Sequence, residues 1–258
     1  MKDVKGITPV GGAQDLDMQK LYQITKDVIN LFDKYSIKYW ADGGTYLGAI
    51  RHSGIIPWDD DVDLGTLENN LTKINSKSFK KDLHKLNYKL ISTDFGFKIF
   101  PTNGLKIKLN KWVQHINKFK EKNPHIRNRS QVYKLAAKSY NKSDYPDFHV
   151  HKYPSLDIFL YVNTNDQLHT RDRTKWYSDK CAYHKKNLTK LTKKKFGNYT
   201  LSVMPNSKKY FDKCYGSDWN KYGYITWDHK NEKFHKNRRK IPLTKKNRLP
   251  AKGYENIK

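Results

Sequence analysis

Cysteine is scarce in this chain: Cys181 and Cys214 are the only two among 258 residues. They make no Cys-x-x-Cys pair, so neither a disulfide framework nor a structural zinc site is expected. Long apolar runs are also missing. No stretch of 18 apolar residues occurs, and no membrane-spanning helix is expected. The first residues, Met1-Lys2-Asp3-Val4-Lys5-Gly6, lack the apolar segment of an export signal, which points to a cytoplasmic protein. Apolar residues make up only 36%, but aromatics reach 14%. Tyrosine and tryptophan can supply core area that the aliphatics do not, so the chain reads as globular rather than disordered.

Acidic residues thin out after the first quarter. Residues 1–70 hold 7 Lys and Arg against 11 Asp and Glu, while residues 71–258 hold 44 against 14, for a net of +26. An acidic segment is thus joined to a basic body that attracts anions: nucleotides, nucleic acid, anionic glycans or an acidic membrane surface. Part of that charge is an ordinary solvated lysine surface. The runs Lys193-Lys194-Lys195 and Arg238-Arg239-Lys240 read that way.

Apolar spacing at Leu16, Leu21, Ile24, Val28, Leu31 and Phe32 predicts a helix over 15–34. A short strand over 37–41 runs into Gly43-Gly44-Thr45, a permissive turn, and then a short helix over 45–50. A helix is expected over 67–86, and short strands near 88–91, 97–100 and 105–109. Residues 111–146 read as a basic helical insertion. Residues 154–162 form an apolar strand carrying one carboxylate, Asp157. A helix-prone lysine-rich stretch follows over 165–200, then a helix over 205–215 stopped by Gly216. The fold class is α/β (α+β): a mixed sheet flanked by helices, with the basic insertion and a C-terminal extension. One domain spans 1–258. Its catalytic core covers about 16–165 and a basic helical part about 166–258, with the last ~30 residues mobile.

The densest chemical signal is Pro57-Trp58-Asp59-Asp60-Asp61-Val62-Asp63-Leu64. Over an expected strand at about 60–65, alternation places Asp59, Asp61 and Asp63 on one face, with Val62 and Leu64 in the core. Asp60 then faces away. Like charges ~6.5 Å apart repel by about 2–3 kcal/mol at an effective dielectric near 20, so the cluster calls for a cation. Hard oxygen ligands suit Mg²⁺ or Mn²⁺ carrying a phosphate substrate. An EF-hand is excluded because glycine at position six and glutamate at position twelve are missing. Glycines after a strand let backbone N–H groups approach phosphate, and Asp157 is the candidate third carboxylate from a distant strand. His149 and His151 alternate on a strand but have no third ligand nearby in sequence. Trp58, Tyr215 and Trp219 read as core packing, with an aromatic box for a quaternary ammonium as the sharper alternative for the last two.

The segment Tyr39-Trp40-Ala41-Asp42-Gly43-Gly44-Thr45-Tyr46-Leu47-Gly48-Ala49-Ile50-Arg51-His52, followed by Gly54-Ile55-Ile56-Pro57-Trp58-Asp59-Asp60-Asp61-Val62-Asp63, closely resembles the LicD/fukutin family. That family includes bacterial phosphocholine transferases and animal ribitol-phosphate transferases. Leu156-Asp157-Ile158-Phe159 and Tyr215-Gly216-Ser217-Asp218-Trp219 are weaker echoes. The resemblance runs from about 16 to 219 and is strong over 39–65. It leaves out 111–146 and the tail after 230.

The resemblance implies a nucleotidyltransferase-type fold and transfer of a phospho-alcohol, of phosphocholine or ribitol-phosphate type. The donor is a CDP-alcohol, the acceptor a hydroxyl of a glycan or glycolipid, and CMP is released. Asp61 and Asp63 would ligate Mg²⁺, with Asp157 as further ligand or general base. Asp59 would join the metal shell or hold the ribose. Gly43, Gly44 and Thr45 would lie under the pyrophosphate, and Arg51 would clamp phosphate. The missing export signal departs from the Golgi-resident animal members. Three rivals remain: a template-independent nucleotidyltransferase on RNA, a glycosyltransferase with an Asp-x-Asp metal site, and a non-catalytic basic module. No aromatic–basic single-strand module is seen, which counts against nucleic acid. Forty residues before the acidic strand leave little room for the sheet a glycosyltransferase needs.

Overall fold

A computed structural model describes residues 15–108, 111–126, 129–144, 149–171, 181–228, 233–255 and 257. Expectations that fall on 1–14, 109–110, 145–148, 172–180 and 229–232, or on the side chains of Leu16, His149, Arg238 and Arg239, lie outside the described residues.

The chain opens with α1 (Asp15–Lys34). Met18, Leu21, Tyr22, Thr25, Val28, Ile29 and Phe32 recur at three- and four-residue steps, and all are buried. Then come β1 (Tyr39–Ala41), α2 (Gly43–Arg51) and β2 (Val62–Leu67). A 3₁₀ turn at Glu68–Asn70 leads to α3 (Leu71–Ile74), α4 (Lys77–Lys85), β3 (Tyr88–Ser92), β4 (Gly96–Pro101) and β5 (Leu105–Lys108). The basic insertion forms α5 (Lys111–Lys122) and α6 (Arg129–Ala137), and β6 (His149–Tyr153) and β7 (Leu156–Thr164) follow.

β8 (Gln167–Thr170) and β9 (Tyr183–His184) complete a seven-stranded sheet. Its main path is β1-β2-β7-β4-β3, with β8 on β7 and β9 on β8. β2 and β7 pair parallel and the other neighbours antiparallel, so the sheet is mixed, as an α/β (α+β) fold requires. β7 sits in the middle and buries Leu156, Ile158, Phe159 and Leu160, using both faces of the strand. Trp40 on β1 is wholly buried against the rings of Tyr161 and Tyr183. A side chain of this kind contributes about 1.5–3 kcal/mol by leaving water. Among the described residues, no helix is long and apolar enough to cross a membrane.

Four local expectations are corrected. The helix expected over 67–86 is interrupted at Asn75-Ser76, because the Ser76 Oγ accepts the Phe79 N–H and starts α4 afresh. The acidic strand begins only at Val62, two residues later than expected.

The described part of 165–200 holds no α-helix: beside β8 and β9 it has a 3₁₀ turn at Lys185–Lys190 and the hairpin of β10 (Thr192–Phe196) and β11 (Tyr199–Val203). Here Phe196, Leu201 and Val203 are buried while the lysines stay exposed, so tertiary packing outweighs the favourable helix propensity of lysine. The C-terminal part contains one α-helix among the described residues, α7 (Ser207–Tyr215), which ends at Gly216 as expected. After α7 comes the hairpin of β12 (Tyr222–Asp228) and β13 (Lys233–Pro242), then a 3₁₀ turn at Lys246–Arg248.

The described end of the chain is docked rather than loose. The Ala251 N–H donates to the Ile55 carbonyl, the Tyr22 hydroxyl donates to the Ala251 carbonyl, and Ala251 and Ile257 are buried. Cys181 and Cys214 form a disulfide with each other. Such a bond is more typical of an oxidising compartment than of the expected cytoplasm.

Candidate active site

The site is assembled where β1 ends, α2 begins, and β2 and β7 lie side by side. Asp42 is the hinge of this assembly. It N-caps α2, its Oδ1 accepting the Gly43 N–H at 2.9 Å. The same oxygen accepts the Tyr183 hydroxyl at 2.7 Å, and Oδ2 accepts the Tyr161 hydroxyl at 2.6 Å. Burial pushes the Asp42 carboxyl above its usual range, and these donors pull it back. Gly43 has φ of 48°, the left-handed region that a side chain disfavours. The expected turn at Gly43-Gly44-Thr45 is therefore the first turn of α2 itself.

Two hydrogen bonds join this helix start to the acidic strand. The Asp42 N–H donates to the Asp63 carbonyl at 3.0 Å, and the Asp63 N–H donates to the Thr45 Oγ1 at 2.8 Å. Thr45 thus fixes the backbone of a candidate ligand. Gly44 has a different role: a Cβ there would lie 2.5 Å from the Asp59 Oδ2, so its bareness lets the Asp59 carboxylate approach α2.

Asp59, Asp60 and Asp61 precede β2, so strand alternation does not govern them. Their carboxylate oxygens gather within 4.8 Å of one another, and Asp60, expected to face away, is buried in that group. A second group joins Asp61, Asp63 and Asp157, again with oxygens within 4.8 Å. The β2–β7 register sets Asp63 directly beside Asp157. The β4–β7 register sets Lys98 on the other side of Asp157. The Lys98 Nζ lies 2.6 Å from the Asp157 Oδ1 and donates to the Ser155 Oγ at 3.2 Å. Burial, followed by the charges of Asp61, Asp157, Asp42 and Asp59, holds the Asp63 carboxyl well above the usual carboxylate range.

Arg51 is not brought to the start of α2. It stands in the last turn, roughly 12 Å along the helix from Gly43. Its Nη1 donates to the carbonyls of Trp219 at 2.5 Å and Tyr222 at 3.3 Å, and its guanidinium lies 5.9 Å from the Trp58 ring centre. Burial foremost, then the Arg248 charge, lowers its pKa to about 10. Trp58 is buried beside His52, as core packing predicts. Trp219 likewise packs on Phe211 and donates its Nε1–H to Asp212, whereas Tyr215 stays partly exposed at the end of α7. His151 packs near Phe100, and the groups able to hold a cation among the described residues consist of aspartates alone.

Sequence reasoning missed Asp42, Lys98 and the tyrosines that hold Asp42. Asp42 had a local signal, an N-cap residue directly before a helix. Lys98 had a fainter one, a single cation inside the apolar run Gly96-Phe97-Lys98-Ile99-Phe100. Tyr161 and Tyr183 had none, because their partner is 119 and 141 residues away.

This arrangement, a glycine-led helix start clamped to a strand of converging carboxylates, has known relatives. Residues 36–146 match the family described as LicD/FKTN/FKRP, nucleotidyltransferase domain. That match takes in the glycine-led helix start and the acidic segment, the same residues that carry the resemblance in the sequence.

Among individual proteins, it is 30% identical over 161 residues to the uncharacterized protein RP689 of Rickettsia prowazekii, covering 58% of this chain and 59% of that one. It is 44% identical over 48 residues to the human ribitol 5-phosphate transferase FKRP, or 19% of this chain and 10% of FKRP. A 34-residue segment is 59% identical to the lipopolysaccharide cholinephosphotransferase LicD of Haemophilus influenzae, 13% of each chain. The chain therefore spans less than two thirds of the length of these relatives.

Proposed function

We propose that this protein is a phosphotransferase that moves a phospho-alcohol from a CDP-activated donor to a hydroxyl of a sugar or glycan, with release of CMP. The observation that carries this reading is the meeting of Asp61, Asp63 and Asp157 beside the start of α2. It is supported by the names of two relatives, a ribitol 5-phosphate transferase and a cholinephosphotransferase.

The residues fit a divalent cation. Asp63 is half-buried near four other carboxylates that all disfavour its charge, and hard oxygen donors of this kind match Mg²⁺ or Mn²⁺. Asp61, Asp63 and Asp157 would hold it, and it would supply charge neutralisation at the transferred phosphate. The α2 N-terminus favours an anion, and the donor's phosphates would lie beside Gly43, Gly44 and Thr45. Asp157, ion-paired with Lys98, is suited to a ligand's role. Asp59, only partly buried against Gly44, is the carboxylate placed to take the proton of an incoming hydroxyl. In that step the hydroxyl oxygen bonds to phosphorus as its proton passes to Asp59. The bond from phosphorus to the CMP oxygen breaks, and CMP leaves with that electron pair. Arg51 acts as a strut that joins α2 to Trp219 and to the first residue of β12.

The test is to incubate the protein with Mg²⁺ and a panel of CDP-alcohols, nucleoside triphosphates with RNA, and UDP-sugars. CMP release from a CDP-alcohol, lost in an Asp61→Ala, Asp63→Ala double variant, is the expected result. Consumption of triphosphates alone, and only with RNA, would overturn it in favour of the reading that the basic charge of residues 71–258 suggests.

A further inference from the structure

Lys98 lies in a strand whose residues are all buried, where an amine is costly unless it meets an anion. It meets one: its side chain is 11% exposed, that of Asp157 is 10% exposed, and the two are 2.6 Å apart. The Ser155 Oγ accepts a second bond from the same ammonium. Adjacent registers then place Lys98, Asp157 and Asp63 in one row across β4, β7 and β2, roughly 5 Å per strand. Asp61 joins the row from the loop before β2. Asp157 is therefore held from one side by a fixed cation and faces its fellow carboxylates on the other.

We propose that Lys98 is a positioning residue of this site: a resident counter-cation that aims Asp157 at Asp61 and Asp63 and limits how tightly the three carboxylates hold a divalent ion. This deepens the metal-dependent reading above and rests on it. Three carboxylates alone would bind a divalent ion strongly and release it slowly. One built-in positive charge beside the third ligand offsets part of that attraction. It also keeps the row together when no ion is bound, since one of the four charges then has the opposite sign. Ser155 steers the ammonium, so the positive charge stays on the β4 side of Asp157.

The closing experiment has two parts. In EDTA, a double-mutant cycle of Lys98→Met and Asp157→Asn is followed by urea unfolding. The proposal expects Lys98→Met to destabilise the protein and Asp157→Asn to restore part of the loss when added to it. In the second part, Mn²⁺ binding is read by electron paramagnetic resonance. Lys98→Met should bind Mn²⁺ about tenfold more tightly or better, because a charge within one strand spacing of the ion has been removed, while Lys98→Arg stays near the unsubstituted protein. Lys98→Gln, which keeps a donor for Asp157, replaces the methionine variant if that one does not fold.

A merely structural lysine would lower stability and leave Mn²⁺ affinity where it was. Affinity unchanged or weakened in Lys98→Met, or no coupling in the cycle, overturns the proposal. No Mn²⁺ uptake by the unsubstituted protein overturns the metal reading itself, and with it the claim about affinity. The two failures are thus distinguishable.

Discussion

The Asp59 carboxylate rests on the bare Cα of Gly44, so close that a Cβ on Gly44 would come within 2.5 Å of its Oδ2. This contact explains why the acidic loop can approach a helix start at all. It also separates two effects that a glycine substitution usually mixes. Gly44 lies inside α2, where alanine is favoured over glycine by about 1 kcal/mol. The atom it would strike is the end of a flexible side chain. Gly44→Ala should therefore leave the melting temperature unchanged or slightly raised while displacing Asp59. A misplacement of ~1 Å costs on the order of 100-fold in rate. Circular dichroism melts set beside CMP release will show whether stability and turnover part in this way.

Asp42 should behave in the opposite manner. Its side chain caps α2 and accepts two buried tyrosine hydroxyls, so Asp42→Ala removes a cap and leaves the Tyr161 and Tyr183 hydroxyls without this acceptor. The expected loss is on the order of 4 kcal/mol, from about 1 for the cap and 1–3 for each buried group left unpaired. Asp42→Asn keeps an acceptor oxygen and should lose less. Urea unfolding of the two variants gives the comparison. A small loss in Asp42→Ala would mean that the tyrosines find other partners.

How much of this was readable in advance depends on whether a feature is local. α1 follows from its own three- and four-residue spacing, and β7 from an apolar run interrupted only by Asp157, so both fall near their expected bounds. The candidate ligands Asp61, Asp63 and Asp157 were visible because carboxylates in apolar surroundings are conspicuous. Lys98 was not, because its meaning lies in strand register, and the pairing with Asp157 joins residues 59 apart in the chain. The β10–β11 hairpin reads as helix-prone for a related reason. Thr192 to Lys195 are all exposed, so β10 shows no alternation, and only its pairing with buried Leu201 and Val203 makes it a strand. Asp60 departs from its expected outward orientation because strand alternation starts only at Val62, two residues further on.

The raised Asp63 carboxyl predicts a pH dependence for protein stripped of divalent ions. A carboxyl whose folded value lies above its usual 3.8 binds its proton more tightly in the folded chain than in the unfolded one. The stability this adds is fully present below 3.8 and is lost as pH rises from there through the raised value. In EDTA the melting temperature should fall as pH rises above ~4, and Asp63→Asn should flatten part of that fall. Adding Mg²⁺ should raise the melting temperature most at the alkaline end, where the carboxylates are ionised and free of protons. A Mg²⁺ effect independent of pH would argue against these carboxylates as its binding site.

The disulfide reaches the same site through an aromatic path. Tyr183 lies two residues after Cys181 and Tyr210 four before Cys214, and their rings stack with centres 4.5 Å apart and planes 6° from parallel. Tyr183 in turn donates to Asp42, which caps the helix that clamps Asp63. Closing a loop across a separation of 33 residues is worth roughly 3–4 kcal/mol in the chain-entropy account. Cys181→Ser with Cys214→Ser should lower stability by about that much under oxidising conditions, and dithiothreitol should lower the unsubstituted protein to the same level. Turnover should fall as well, because the stack that holds Tyr183 against Asp42 loses its tether. Tyr183→Phe keeps the stack and removes only the hydroxyl. If it reproduces the loss of turnover with the disulfide intact, the path runs through the Asp42 hydrogen bond. If turnover survives in Tyr183→Phe but falls on reduction, the tether acts on the site through α7 instead.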